Sequence, residues 1–353
     1  MGQWHIIAER SYMHGEPCES ESFCIEVDHQ GEREFSLDPD CLLWPGFIDF
    51  HTHLAFNDEP GPGVRTSDLM RFGVFGAADA GTFGWDNLPA SRAVAGFPYK
   101  RWVSLLPEGL ATYPISPRHE GITPEAEERI HQVMQTPRGD ILGIKIRLGQ
   151  HDRRDDEALL ADGVRIADSL GLQLMVHFTD TFLPLAAIVA ALRPRDVLTH
   201  VFHGRRGSIL VNDRLDPAIA NAVHPGIVLD VGHGSNHFSW PVFQKAQAQG
   251  LLADMISTDV TRRTLNRAPL FHLPFVCSKL VNANLDWDQI YRSTVANPLA
   301  YLGLTIPRNS AVVLQPRYAS VAFGDSHGNV VKGSRWWDPV LVIYGGRLIW
   351  NAI

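Results

Sequence analysis

The chain has 353 residues, 45% of them hydrophobic and 20% charged, and its formal net charge is -8. This composition is typical of a globular protein, and the length fits either two domains or one large α/β barrel. The sequence contains no lysine- or arginine-rich run and no apolar stretch as long as a membrane span, so we expect neither nucleic acid nor a membrane as a partner.

The N-terminus and the cysteines predict a cytoplasmic protein. Residues 1–15 lack the basic segment and the apolar segment that together form a secretion signal. The four cysteines include no CxxC pair and are too few to cross-link a chain of this size. We therefore expect them to be reduced thiols.

The order of apolar and amphipathic segments predicts an α/β fold. Residues 1–45 read as short, irregular strands such as "SFCIEVDH", without helical periodicity. From residue 46, short apolar segments alternate with longer amphipathic ones, which is typical of repeated βα units. The eight candidate strands are, in order, "GFIDFHTH", "GVFGAADAGT", "RWVSLLPEGL", "ILGIKIRL", "LQLMVHF", "DVLTHVFHG", "GIVLDVGHG" and "ADMISTDV". They predict a (β/α)8 TIM barrel over residues 46–304, with the active site at the C-terminal ends of its strands.

Two of the intervening segments carry clear helix signals. Thr123 is a favourable N-cap with Pro124 at the first helical position, and "DDEALLADGVRIADSLG" has acids in its first turn and Gly171 at its end. After residue 304 the sequence again predicts strands, in "SAVVLQ", "ASVAFGD" and "PVLVIYGGRLIW". We expect residues 1–45 and 305–353 to form one small β-sandwich-like domain.

Two histidines end the first barrel strand, in "WPGFIDFHTHLAF". His51 and His53 are two residues apart, so in a strand they point to the same face, which indicates a metal site. Other strands carry polar residues near their C-terminal ends: Lys145 in the fourth, His177 in the fifth, His200 in the sixth and Asp259 in the eighth.

Each of these residues, taken alone, has a structural interpretation. A single histidine in an apolar strand is more often a hydrogen-bonded core residue than a ligand. Lys145 is harder to explain, because a buried ammonium is unfavourable unless it is paired or neutralised. Together, the six residues at one barrel mouth predict a functional site.

The ordered set of motifs resembles the amidohydrolase superfamily of metal-dependent hydrolases over nearly the whole chain. The matching features are "PGFIDFHTH", a lysine in the fourth strand, single histidines ending strands five and six, and an aspartate ending strand eight. The segments "DAGT", "GIKIRL", "VLTHVFHGR", "LDVGHG" and "LPFVCSKL" resemble a dihydroorotase-like branch of amidohydrolases and deacetylases.

The resemblance implies a site for two divalent metal ions. His51 and His53 would bind the first ion, His177 and His200 the second, and Lys145, carboxylated by CO₂, would bridge both as a carbamate. Only an uncharged amine reacts with CO₂, and burial in an apolar strand shifts lysine towards that form. Histidine and oxygen ligands suit zinc, although manganese, iron or cobalt could occupy the same set.

The resemblance also gives Asp259 a catalytic role. It would ligate the first ion, take the proton of a metal-bridging hydroxide as that hydroxide attacks, and pass the proton to the leaving group. Arg147, on the same strand face as Lys145, pairs with a substrate carboxylate, orients the carbamate, or ties the barrel mouth to a loop acid. His233, in the glycine-rich loop after strand seven, is a second candidate substrate contact.

The predicted function is hydrolysis of an amide or ester bond, of the deacetylase or deacylase type, in a small carboxylate-bearing molecule. Two enzyme alternatives stay open: a cyclic amide hydrolase of the dihydroorotase or hydantoinase kind, and a mononuclear deaminase. The deaminase would use an acid three residues after a ligand histidine, but we interpret Asp180 in "HFTD" as a helix N-cap. A non-catalytic scaffold is disfavoured because every expected ligand type is present, and a homo-oligomer is compatible with the sequence.

Overall fold

The computed structural model describes residues 2–56, 61–90, 94–110, 115–135, 139–223 and 226–353. Its strands are β1 Gly2–Ser11, β2 Cys18–Val27, β3 Arg33–Ser36, β4 Leu42–Trp44, β5 Phe47–Thr52, β6 Val74–Gly84, β7 Tyr99–Ser104, β8 Ile141–Arg147, β9 Gln173–His177, β10 Val197–Thr199, β11 Leu210–Val211, β12 Arg214–Leu215, β13 Val228–Asp230, β14 Ala311–Gly324, β15 Val330–Tyr344 and β16 Arg347–Asn351. Its helices are α1 Thr66–Met70, α2 Pro124–Met134, α3 Arg153–Ser169, α4 Leu185–Ala191, α5 Pro217–Val223, α6 Trp240–Ala248, α7 Leu273–Val281, α8 Trp287–Tyr291 and α9 Asn297–Leu302. A 3₁₀ turn covers Leu88–Ala90, and a π-helical segment covers Arg292–Ala296.

The predicted barrel is confirmed as a nearly closed parallel sheet. Its strand order is β5-β6-β7-β8-β9-β10-β13, and each neighbouring pair is parallel. The eighth predicted strand is an extended segment that makes only isolated bridges. Met255 pairs with Asp230 of β13, and Val260 pairs with Thr52 of β5, so this segment joins the two edges of the sheet.

The irregularity of the eighth segment has a local cause. Asp259 has a φ of +52°, and a residue in the left-handed region cannot continue an extended ladder. Just before it, the backbone N–H and the hydroxyl of Thr258 donate to the Asp49 carboxylate at 3.0 and 2.5 Å. At the point where the barrel closes, side-chain hydrogen bonds thus supplement the few backbone bonds between this segment and β5.

The two ends of the chain form one further sheet, as predicted. Its order is β16-β15-β14-β4-β1-β2, with β3 also paired to β1, and the antiparallel pairing of β4 with β14 joins the N-terminal strands to the C-terminal ones. We call it the terminal sheet. The division of the chain at residues 45 and 305 stays a prediction.

The helix signals in the sequence are also confirmed. The Thr123 hydroxyl accepts from the Ala126 N–H at 3.2 Å and caps α2. Helix α3 begins slightly earlier than predicted because the side chain of Asp152 caps it, accepting from the Asp155 N–H at 3.0 Å. None of the helices in the described part of the chain combines the length and the apolar character that a membrane span requires.

An aromatic cluster packs the terminal sheet against the barrel. The ring of Trp44, at the end of β4, lies 5.3 Å from that of Phe47, at the start of β5, and 5.6 Å from that of Trp287 in α8. Trp44 and Phe47 are fully buried. Since β5 carries His51 and His53, this cluster also fixes the base of the strand that supplies the first predicted ligands.

We expect Phe47→Ala to lower the free energy of unfolding by about 3–5 kcal/mol, because it removes a buried ring and leaves a cavity. Urea denaturation of the variant and the wild type measures the loss. The matched control is Val330→Ala on β15, where the side chain is 52% exposed and the expected change is within about 0.5 kcal/mol. Equal losses for the two variants would contradict the role of the aromatic cluster.

Candidate metal centre

The C-terminal ends of the barrel strands surround a cavity of about 420 Å³. It is lined by His51, His53, Lys145, Arg147, His177, His200 and Asp259. The structure therefore brings together every predicted site residue except His233. Further lining residues, Ser235, Asn236 and His237, come from the loop between β13 and α6.

His51 is held in one orientation by groups behind it. Its Nδ1 lies 2.9 Å from the Thr199 hydroxyl and 3.1 Å from the Asp230 carboxylate. Its Nε2 faces the cavity, 3.4 Å from Asp259 Oδ1. A carboxylate on one ring nitrogen fixes the tautomer and leaves the other nitrogen free to bind a metal.

His53 is held in a similar way. Its Nδ1 lies 3.1 Å from the Thr82 hydroxyl, which in turn donates to Asp79. Asp79 also accepts from the backbone N–H of Leu54 at 2.8 Å and so fixes the end of the strand. The His53 Nε2 lies 3.2 Å from Asp259 Oδ1, so both histidines present Nε2 to one carboxylate oxygen.

Asp259 lies at the centre of the arrangement. Its backbone N–H donates to the His51 carbonyl at 2.6 Å, which places the carboxylate above the first barrel strand. Burial alone would raise the pKa of Asp259, but hydrogen bonds from His51 and His53 hold that pKa well below its usual range. The group is therefore an ionised carboxylate at neutral pH.

His177 and His200 form the opposite side of the cavity, with ring centroids 4.5 Å apart. The His200 Nδ1 donates to the Gly232 carbonyl at 2.6 Å, which leaves Nε2 as the free nitrogen. Burial holds the pKa of both rings well below the usual range, so both are neutral and have a lone pair to donate. His200, like Asp259, has a left-handed backbone, with φ of +71°. Such residues are typical of functional sites, where strain of about 1–3 kcal/mol is held by the surroundings.

Lys145 projects into the cavity floor from β8. It is buried, and its Nζ has no hydrogen-bond partner among the described residues. Burial lowers the pKa of Lys145 to about 7, so a large share of the amine is uncharged near neutral pH. An unpartnered buried amine is unfavourable unless a further group neutralises it.

The donor atoms form two overlapping groups. In each group, one ligand atom from every residue lies within 4.8 Å of the others, and the groups are His51 with His200 and Asp259, and His177 with His200 and His237. Imidazole nitrogens and an ionised carboxylate are ligands that zinc and related divalent ions accept. The residues present therefore fit a metal site.

Arg147 lines the cavity beyond Lys145, as the alternation of β8 predicts. No hydrogen bond or ion pair joins its guanidinium to another described residue. Of the predicted roles, the tie to a loop acid is therefore absent from the described part of the chain. A largely buried guanidinium that faces a cavity is available to an anionic ligand.

His233 does not reach the cavity, and the expectation of a substrate contact there is corrected. Its Nε2 accepts from the Lys279 amine at 2.6 Å, and its Nδ1 donates to the Gly234 carbonyl at 2.7 Å. The ring stacks on Phe238 at 4.7 Å. His233 is thus a hydrogen-bonded core residue that supports the loop from behind.

His237, which the sequence reasoning missed, is the histidine of this loop that lines the cavity. Its signal in the sequence was the fourth histidine of "HVFHG…GHGSNHF", in the segment already expected to supply substrate contacts. Asp180 also differs from expectation, because α4 begins only at Leu185 and Asp180 instead forms an ion pair with Arg205 at 2.9 Å. It does not line the cavity.

Comparison with known proteins supports the predicted resemblance. No protein-family model matches the chain. A protein of Brucella anthropi named deacetylase is 27% identical over 320 residues, which covers 86% of this chain and 79% of the relative. A dihydroorotase crystal structure has a TM-score of 0.83 at 22% identity and covers 99% of this chain and 98% of its own, and an adenine deaminase structure has a TM-score of 0.78 at 22% identity and covers 98% and 99%. The fold is shared with the dihydroorotase and the adenine deaminase, and the predicted resemblance to the amidohydrolase superfamily is confirmed.

Lys279 behind the loop gives a pH-dependent prediction. Burial lowers its pKa to about 7, whereas an exposed lysine titrates near about pH 10.4. Between these values the unfolded chain holds a proton that the folded protein lacks, so the free energy of unfolding rises with pH. Lys279→Met should remove this contribution, up to about 1.4 kcal/mol per pH unit.

Urea denaturation at about pH 7.5 and about pH 9.5 tests this difference. The stability of the wild type should rise relative to that of Lys279→Met by about 2 kcal/mol over the interval. Lys245→Met on α6 is the control, because its partly exposed side chain should leave the slope of the wild type unchanged. If the free energies of unfolding of wild type and Lys279→Met changed with pH in parallel, Lys279 would not be an uncharged amine in the folded protein.

Proposed function

We propose that this protein is a metal-dependent hydrolase of the deacetylase or deacylase type, acting on an amide or ester bond of a small carboxylate-bearing molecule. One observation carries the proposal: histidines, an ionised aspartate and an unpartnered buried lysine converge on one cavity at the C-terminal ends of barrel strands. The relative named deacetylase supports the reaction class.

The proposed ligand set divides between two ions. His51, His53 and Asp259 would hold one divalent ion, and His177 and His200 would hold the second. Zinc suits these donors. When bound, two such ions lower the pKa of a shared water and polarise the substrate carbonyl.

Lys145 is the proposed link between the two groups. As a carbamate formed with CO₂, its side chain would carry a negative charge and two oxygen donors in place of a buried amine without a partner. This change removes the unfavourable burial of a cation and requires the uncharged amine that the surroundings of β8 favour.

Asp259 is the proposed proton carrier. Its Oδ1 is close to both His51 and His53, and its Oδ2 turns towards the other side of the cavity, where it lies 3.8 Å from His237 Nε2. An ionised carboxylate in this position accepts the proton of the attacking water and donates it to the departing nitrogen or oxygen.

Arg147 is the proposed anchor for the substrate carboxylate. The guanidinium lies two residues beyond Lys145 on the same face of β8, so an anion bound to it would place the neighbouring acyl group near the donor cluster. A cavity of about 420 Å³ is within the size range of small-molecule sites.

A cyclic amide hydrolase is the second candidate, favoured by the likeness in fold to the dihydroorotase. The same residues would perform it, with a ring amide in place of an acyl group. A mononuclear deaminase is less well supported, because Asp180 lies outside the cavity and Lys145 lies inside it.

Metal content and hydrolysis test the proposal together. Wild-type protein purified with zinc and bicarbonate should contain two equivalents of zinc by elemental analysis and should hydrolyse members of a panel of N-acyl and O-acyl carboxylic acids. Lys145→Ala should lose most of the bound zinc and the turnover, because it removes the bridging donor. Lys245→Ala is the matched control and should keep both. Two retained zinc ions with full activity in Lys145→Ala would disprove the carbamate.

The role of Arg147 gives a separate prediction about substrate choice. For a carboxylate substrate, Arg147→Met should lower kcat/KM by about 100-fold, since one partner of a buried ion pair is lost. For the matching primary amide, which lacks the charge, the loss should stay below about tenfold. Steady-state kinetics on the two compounds measures the ratio. An equal loss of kcat/KM for the carboxylate and the amide would show that Arg147 does not bind the substrate carboxylate.

A further inference from the structure

The proposed function leaves one partly buried histidine of the cavity, His237, without a role. The ring centroid of His237 lies 4.2 Å from that of His200 and 4.9 Å from that of His177. One nitrogen from each of the three rings lies within 4.8 Å of the others. Three imidazoles at this separation can converge on one ion.

The loop that carries His237 is shaped for this close approach. Gly234 has a φ of +51°, and a Cβ built there would lie 2.7 Å from both Asp259 Oδ2 and His237 Cδ2. Only glycine fits this position, because any side chain would collide with both residues. The backbone is thus packed against the donor cluster.

The residue after His237 is anchored to the terminal sheet. The backbone N–H of Phe238 donates to the Ser326 hydroxyl at 2.9 Å, and that hydroxyl donates to the Phe238 carbonyl at 2.5 Å. The Phe238 ring stacks on His233. These contacts fix the backbone on one side of His237, so the imidazole is held over the cavity by the fold.

The imidazole itself has unused hydrogen-bonding capacity. The side chain of His237 is 15% exposed, and its Nδ1 is buried without a partner among the described residues. Buried polar groups are almost always partnered, so an exception beside two further histidines points to a missing ligand.

We propose that His237 is a third protein ligand of the ion held by His177 and His200. This inference rests on the proposed function, because it adds a donor to the second of its two ions. With the Lys145 carbamate, that ion would have four protein donors, and the shared water would raise the coordination to five, which zinc accepts at catalytic sites. The additional imidazole would therefore help to retain the second ion during turnover.

The test compares His237→Gln, His237→Cys and the control His131→Ala, using zinc alone as the probe. His131 lies on α2 at the protein surface and contacts Ser169, far from the cavity lining. Each protein is loaded with zinc in the presence of bicarbonate and titrated with a chelator, and the retained metal is measured by elemental analysis. Thermal unfolding checks that each variant is folded.

Wild type and His131→Ala should hold two equivalents of zinc. His237→Gln should hold the first ion as tightly as the wild type and the second at least about tenfold more weakly, which is the smallest loss that removing a supporting group produces. His237→Cys should recover part of the affinity because a thiolate also ligates zinc. After cobalt substitution, the Cys variant alone should show a thiolate-to-cobalt charge-transfer absorption.

The outcomes separate this inference from the function on which it rests. If His237→Gln keeps both ions at wild-type affinity and only KM changes, His237 is a substrate contact and the inference is overturned, whereas the two-metal hydrolase stands. If the Cys variant shows no charge-transfer absorption and no recovered affinity, the inference is likewise overturned. A wild type that binds no zinc would overturn the proposed function and this inference with it.

Discussion

The closure of the barrel between β5 and the segment 255–260 is the constraint on which the candidate site depends. Closure takes one bridge, Thr52 with Val260, and the hydrogen bond from the Asp259 N–H to the His51 carbonyl. That bond sets the carboxylate of Asp259 directly over the two histidines that end β5. Because the segment leaves extended geometry at Asp259, the side chain that a regular strand would turn aside is directed into the cavity. The irregular backbone of this segment is therefore what places Asp259 in the site.

Buried carboxylates behind the cavity make this arrangement rigid. Asp230 accepts from Ser257 at 2.5 Å and Thr199 at 2.6 Å as well as bonding His51, and Asp79 holds His53 through Thr82. A buried carboxylate is unfavourable unless several donors satisfy it, and hydroxyl groups from neighbouring strands supply them here. The resulting network orients each histidine before any ligand arrives. This is the kind of support that a metal site requires of its surroundings.

The site residues on the barrel strands could be predicted from the sequence, whereas those in the loop after β13 could not. Alternation along β5 and β8 places His51 with His53 and Lys145 with Arg147, because side chains two residues apart share a face. After β13 this rule does not apply, because Gly232 and Gly234 have φ of +45° and +51° and leave extended geometry, so residue spacing no longer indicates which way a side chain points. His233 was expected in the cavity from its place in the loop after the seventh strand, and it is buried behind the cavity instead. The eighth strand shows the same limit, since its apolar pattern is strand-like but Asp259 is left-handed.

The terminal sheet contributes to the site as well as to the core. Its turn between β14 and β15 reaches the loop after β13, where the Trp240 N–H donates to Asp325 at 2.9 Å and the Trp240 indole donates to the Phe323 carbonyl at 2.6 Å. Lys279 adds a bond to the Gly324 carbonyl at 2.7 Å from the other side. A glycine-rich loop has high conformational entropy when it is free, so its order must come from such contacts. The strands from both chain ends therefore help to order the loop that carries His237.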